Sequence, residues 1–408
     1  MEVVIAGAGP YGLSIATHLS NRKVPFRIFG QPMRFWQEMP PGVFLKSFGF
    51  ATTIDGPENL AFDNWCRERG LEGREPCSAD SFYEYGLWLQ KRLVPEVERV
   101  DVQRIERAGD GFVVTLTSGE RVEARRVVVA VGLRYFQRMP EVLAGLPREL
   151  VSHTAEHRSY DQFPGKEVCV IGAGQSAFEA AGFLHRSGSR VQLLIRKSRP
   201  IFYTKTPIQR SLLNGLWDPL SVLGAGKLNW VIEHFPLGPS FLPDARRVRF
   251  TLGHPAPAGA WWVRDWVEGK VTIRTRCEII SARPEGGRLL LRVREQDKGE
   301  YELRTDHLVA GTGFEVDLDR LPFLSEDLRA RLDRIEKSPR LNRHCESSVP
   351  GLYFVGIMSA FSLGPLFRFV AGTAYTGPVL ARHLARMVGR EATTPARAQP
   401  AVTGRAMS

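Results

Sequence analysis

At 408 residues the chain is long enough for two domains with well-buried cores, and its 43% hydrophobic and 24% charged content is that expected of a soluble globular protein. The net charge of +11 comes from dispersed basic residues with no basic helix or aromatic-basic motif, which argues against nucleic acid and for a solvated surface that favours anionic ligands. No run approaches the ~18 to 20 apolar residues of a membrane span, a strand beginning at Glu2 leaves no room for a leader, and five scattered cysteines never spaced C-x-x-C read as reduced thiols, so a cytoplasmic location is expected and dithiol chemistry is not.

Glu2 to Ala6 reads as a short apolar strand, followed by Gly7-Ala8-Gly9-Pro10-Tyr11-Gly12 and a helix through about Ser20. In this G-x-G-x-x-G turn the first glycine shapes the backbone and the second lets a pyrophosphate approach, with the phosphates on the positive end of the helix. A fingerprint within the first ten residues suits an FAD-binding domain. The next strand, Val24 to Phe29, ends in Gly30-Gln31 where a carboxylate would usually meet the ribose, so either Gln31 makes that contact or the ribose is held differently. Residues 31 to 50 are rich in Pro, Gly and aromatics and are placed to cover the flavin. Arg34, Lys46 and Ser47 are the candidates for ligand contact there, while Phe35, Trp36 and Phe44 are expected to dock on the core.

Ala61 to Arg69 and Asp80 to Leu93 read as amphipathic helices, the second capped by Ser78 or Asp80. Val97 to Ile105, Phe112 to Thr117 and Arg121 to Val131 form a meander that ends in VVVAVG, with Gly132 marking the return to the first sheet. In the connecting segment 134 to 163, His153 and His157 have no cysteine or carboxylate cluster at metal-ligand spacing and are expected to be structural.

The second fingerprint sits in a complete strand-turn-helix-strand context. Val168 to Ile171, Gly172-Ala173-Gly174-Gln175-Ser176-Ala177 and the helix to His185 form a strand, a G-x-G-x-x-A turn and a helix. The following strand, Arg190 to Ile195, ends in Arg196 and Lys197 rather than a carboxylate, which suits the 2'-phosphate of NADPH. Residues 199 to 266 are dense in aromatics broken by Pro and Gly; most are expected in the core, with a hydrophobic substrate funnel or a membrane-surface patch as the other readings. Val271 to Ile279, Arg288 to Glu295 and Tyr301 to Leu303 repeat the meander, and a second return strand runs into Gly311-Thr312-Gly313-Phe314. GLYFVG, ending at Gly356, is a last strand. Gly364-Pro365 precedes a helix to about Val388, whose N-terminus is expected to face the flavin.

The expected fold is therefore α/β, with two Rossmann-like dinucleotide-binding domains of glutathione-reductase type, each with a β-meander insertion. Residues 1–160 and 305–390 form the FAD domain, 161–304 the NADPH domain with its insertion at 199–266, and 391–408 a disordered tail.

With both fingerprints, the AVG and AGTGF return strands and the terminal FVG, the chain resembles the class B flavoprotein monooxygenases from residue 2 to about 388. That resemblance implies that Gly7, Gly9 and Gly12 take FAD and that Gly172, Gly174, Gln175, Ser176 and Arg196 take NADPH. Trp36, followed by Pro41 and Gly42, looks like the family's loop against the flavin, and His153 matches the histidine of its F-x-G-x-x-x-H fingerprint. It implies a C4a-(hydro)peroxyflavin that oxygenates a small amine, sulfide or ketone, with oxygen as co-substrate; a homodimer is left open. The remaining cofactor candidates are Pro10, Tyr11, Lys197, Gly132, Gly313, Gly356 and Gly364. No catalytic side chain is assigned, since the cofactor carries the chemistry, and Arg368 is expected in a structural salt bridge. Two further readings use the same sites: a flavin reductase passing electrons to a quinone or protein, and a non-catalytic nucleotide-binding protein.

Overall fold

The computed structural model describes residues 1–71, 76–205 and 217–393. Segment 206–216 of the aromatic insertion, and the tail expected after residue 390 apart from helix residues 391–393, lie outside the described residues.

Two parallel sheets organise the chain. The first has the order Leu352–Phe354, Arg126–Val129, Val3–Ala6 and Phe26–Phe29. The second has the order Thr272–Arg274, Arg190–Leu194, Glu167–Ile171, His307–Ala310 and Val151–His153. Their central strands are apolar without alternation because both faces are covered. Val3 and Ile5 pack under the helices, while Val4 faces Phe112 and Val114 of the first meander. Val168 and Val170 likewise pack under Gln175–Arg186, while Cys169 and Ile171 face Leu289 and Leu291 of the second meander. The meanders echo each other in detail: each first strand, Val102–Ala108 and Cys277–Glu285, carries a register shift, at Val102/Arg104 and Ile279/Ser281.

Three expectations change. Val151–His153 and His307–Ala310, placed in the FAD domain by the bounds 1–160 and 305–390, are hydrogen-bonded into the second sheet, in register His307 to Val168 and Leu308 to Val151. The reason lies in the repeat itself, since each meander returns beside the first strand of its own unit. The first meander strand begins at Val102, not Val97. Finally, the chain after Gly364 runs through short 3-10 turns, Pro365–Arg368 and Val370–Gly372, and the helix begins only at Thr373.

The two units meet where residues 136–138 run against 313–315: Arg138 N donates to Gly313 O at 2.9 Å and Glu315 N to Phe136 O at 2.8 Å. No helix among the described residues is long and apolar enough to cross a membrane.

Candidate functional site

One cavity of about 1750 Å³ opens along the C-terminal ends of both sheets and is lined by both glycine turns. Strand ends and helix N-termini converge there, as expected for dinucleotide crevices in open α/β sheets.

The turns are built alike. Gly7 and Gly172 have φ of +118° and +132°, and a Cβ on them would overlap the carbonyl oxygens of Ala130 and Gly311 on the return strands. Gly9 and Gly174 instead have ordinary extended backbone and open space above them, with only Pro257 Cβ at 3.9 Å from a Cβ on Gly174. The third position packs the helix on the turn. Gly12 does this in the first unit, where a Cβ would overlap Gly7 O, so it lies beneath the cavity rather than on its wall. In the second unit Ala177 takes that place and the facing strand gives up its methyl group: a Cβ on Gly311 would sit 2.5 Å from Ala177 Cβ.

Around the first turn, Gly7, Gly9, Pro10, Tyr11, Gln31, Arg34, Trp36, Lys46, Ser47, Gly132, Gly313 and Gly356 all line the cavity. Tyr11 hydroxyl donates to Phe369 O at 2.8 Å and so ties the turn to the C-terminal segment. Gln31 Nε2 donates to Arg99 O at 2.9 Å, which leaves its carbonyl oxygen for a ribose hydroxyl. Arg34 is neutralised by Glu38 at 2.8 Å and Asp101 at 3.0 Å. Trp36 packs edge-on against Phe82, with centroids 4.7 Å apart, while still reaching the cavity wall. Ser47 Oγ is 2.9 Å from Thr52 Oγ1. Gly364 does not line the cavity; a Cβ there would lie 2.8 Å from Pro239, so this glycine accommodates the insertion.

At the second turn, Gly172, Gly174, Gln175, Ser176, Arg196 and Lys197 line the cavity. Gln175 is a buttress: Nε2 donates to Glu179 at 2.6 Å and Oε1 accepts from Ala260 N at 2.6 Å. Lys197 donates to Pro257 O at 2.7 Å. Arg196 is exposed and has no carboxylate partner among the described residues, which leaves its guanidinium for an anion. His153 is structural: its Nε2 lies 3.0 Å from Gly313 O, and its Nδ1 accepts from Ala155 N at 3.1 Å.

Several residues on or beside the cavity have no local sequence signal. Asp101, arriving from the meander, places a carboxylate on the cavity wall with Arg34 and Arg134. Glu179, one turn into the second helix, is pushed up to about 7 by burial, opposed by its hydrogen bond from Gln175 and by Lys46. From the insertion come Tyr203, Asn229, His254, Trp261 and Trp262, and Arg368 of the C-terminal segment joins them on the wall, donating to Thr251 O and His254 O. Burial lowers Lys46, with Glu179 opposing and Arg368 reinforcing the shift. All five cysteines are free, and burial raises the Cys169 and Cys345 thiols to about 12.

Comparison with known proteins agrees with this geometry. Residues 4–212 match the family model described as pyridine nucleotide-disulphide oxidoreductase. An FAD-dependent urate hydroxylase of Xanthomonas campestris is 26% identical over 220 residues, covering 48% of this chain and 45% of that protein. A ferredoxin–NADP reductase of Thermus thermophilus is 28% identical over 208 residues, covering 48% and 53%. The chain thus spans about half the length of the curated relatives it matches. The fold, by contrast, is shared over nearly the whole chain: an ornithine N-hydroxylase of Kutzneria sp. 744, solved with reduced FAD, NADP+ and L-ornithine, superposes with a TM-score of 0.75 at 20% identity, over 95% of this chain and 99% of that one. Fold and paired turns define a protein with two dinucleotide-binding units side by side. The chain belongs to the pyridine nucleotide-disulphide oxidoreductase family.

Proposed function

We propose that the protein is an NADPH-dependent FAD monooxygenase acting on a small organic substrate. The observation that carries this reading is the continuity of the cavity, which runs from both glycine turns into a chamber walled by the insertion. The residues fit the cofactors: the open space over Gly9 and Gly174 is what a pyrophosphate needs and a Cβ would take. FAD would lie on the Gly7–Tyr11 turn, with Gln31 and Asp101 on that side of the cavity and Trp36 on its wall. NADPH would lie on the Gly172–Ser176 turn, with Arg196 for its 2'-phosphate. Bound FAD would supply the redox chemistry, accepting hydride from NADPH and delivering electrons to oxygen.

The chain's own contribution is to bind, orient and exclude water. Tyr11 pins the 367–369 segment against the first turn, Gln175 holds the insertion through Ala260, and Lys46 reaches across to it through Ala258 O at 3.1 Å. These ties hold the insertion and the C-terminal segment beside the place where the two dinucleotides would meet, from which water must be excluded if oxygen is to reach the substrate rather than leave as peroxide.

A reductase would use the same two cradles, and similarity to a ferredoxin–NADP reductase favours that alternative; a walled chamber does not, and the free thiols, raised by burial, speak only against its dithiol version. FAD-loaded protein should be reduced faster by NADPH than by NADH and should transfer an atom of isotopically labelled oxygen gas to its product. Failure to take up FAD would refute both readings.

A further inference from the structure

We propose that the chamber ends in an anion subsite, in which Arg368 and Lys46 hold the carboxylate of an otherwise apolar substrate. This rests on the monooxygenase reading and names its substrate class.

Arg368 has no carboxylate partner among the described residues, although surface arginines of this fold are commonly paired, as Arg27 is with Glu98 and Glu120. Its Nη1 donates to Thr251 O at 2.8 Å and His254 O at 3.3 Å, so the head is fixed to the insertion. Nε and Nη2 have no protein acceptor among the described residues. Those two N–H groups form one edge of the guanidinium, a fork that matches the two oxygens of a carboxylate. The charge cannot be shed by deprotonation, so a partner is called for.

Lys46 adds a second cation. It spends one donor on Ala258 O at 3.1 Å and stands 5.1 Å from the Tyr203 ring centroid. Its surface is open to the cavity, yet protein surrounds the cavity there and burial depresses its pKa. Glu179 is the carboxylate that acts on it, but Gln175 already engages Glu179, and burial raises that group to about 7, which weakens it as a standing counter-charge. The phosphates of the two dinucleotides have cradles of their own, at the glycine turns and at Arg196. Arg368, by contrast, is bolted to the insertion. The neighbouring walls, Trp261, Phe369 and Val370, are apolar and suit the rest of such a substrate.

The test is calorimetric titration of the FAD-loaded protein with phenylacetate, its neutral isostere phenylacetamide, and benzylphosphonate. Phenylacetate is expected to bind about 10- to 100-fold more tightly than the amide and more tightly than the phosphonate. Arg368→Gln should remove the preference while NADP+ affinity stays unchanged, and Lys46→Gln, at a position open to the cavity, should reduce it and serves where Arg368→Gln does not fold. Equal binding of acid and amide, no binding of either, or a preference that survives both substitutions would overturn the proposal. A preference for the phosphonate, or loss of NADP+ binding in Arg368→Gln, would overturn it too, by assigning the fork to a phosphate. The titration reads heat and needs no turnover, so FAD-loaded protein that prefers phenylacetate but transfers no oxygen atom from labelled oxygen gas would refute the monooxygenase reading alone.

Discussion

Gly9 separates folding from cofactor binding more cleanly than any other residue of the first turn. Its φ of −84° and ψ of −171° are open to any residue, and a Cβ there meets no atom within 4 Å. Gly9→Ala should therefore leave the apoprotein as stable as before, or about 0.4–1 kcal/mol more stable through the reduced entropy of the unfolded chain. The same methyl group would stand where a pyrophosphate must rest. Displacing the phosphate from even one turn N–H forfeits a charge-assisted hydrogen bond of about 1.5–3 kcal/mol, or roughly 10- to 150-fold in the Kd for FAD. Gly7→Ala provides the contrast, because its φ of +118° and its overlap with Ala130 O strain the fold itself. The assays are thermal melting of the apoproteins and flavin-fluorescence titration. If Gly9→Ala melted as low as Gly7→Ala, the turn would be built differently; if it kept full FAD affinity, the pyrophosphate would not lie over Gly9.

Arg196→Ala should raise the KM for NADPH by about 10-fold or more and leave that for NADH nearly unchanged; equal effects would remove the 2'-phosphate assignment. Gly311→Ala should cost about 1–3 kcal/mol by overpacking against Ala177, and Ala177→Gly should recover part of it in a denaturation cycle, whereas strict additivity would mean the two sites are independent. A buried chain runs from Gln162 through His157 and Ser152 to His307 and Glu149 O, with contacts of 3.0, 2.6, 2.7 and 2.9 Å, and is complete only with both imidazoles neutral. Burial, then His307, lowers His157 from 6.5 to about 4, so its stabilising contribution is fully present above 6.5 and is lost as pH falls from there towards 4. Urea denaturation at about pH 7.5 and about pH 5 should differ by up to about 2 kcal/mol from this source, and the difference should shrink in His157→Gln; an unchanged difference would show that His157 is not the cause.

Both turns were legible in the chain because phosphate binding imposes a local spacing: a glycine at each close approach, between an apolar strand and a helix. Arg196 was legible for the same reason, standing at the end of the strand that follows. The carboxylate near the first cradle was not, because the fold brings Asp101 in from the meander and not from the strand ending at Phe29. His307–Ala310 could be assigned to its sheet only through the repeat, since an apolar strand carries no mark of its neighbours. The helix expected at Pro365 starts at Thr373 because Tyr11 holds the intervening turns from a distant part of the chain. Arg368 is the clearest departure: its partners are the carbonyls of Thr251 and His254, contacts that no sequence spacing announces.

The central claim is oxygen transfer, and rapid mixing tests it most directly. FAD-loaded protein, reduced anaerobically with NADPH, is mixed with oxygenated buffer without substrate while its absorbance is followed. The account predicts an absorbing species distinct from both reduced and oxidised flavin that persists before decaying, as oxygen transfer in a water-excluding site requires. Immediate return to the oxidised spectrum, with stoichiometric hydrogen peroxide both with and without a carboxylate substrate, would contradict it and leave an electron-relaying reductase.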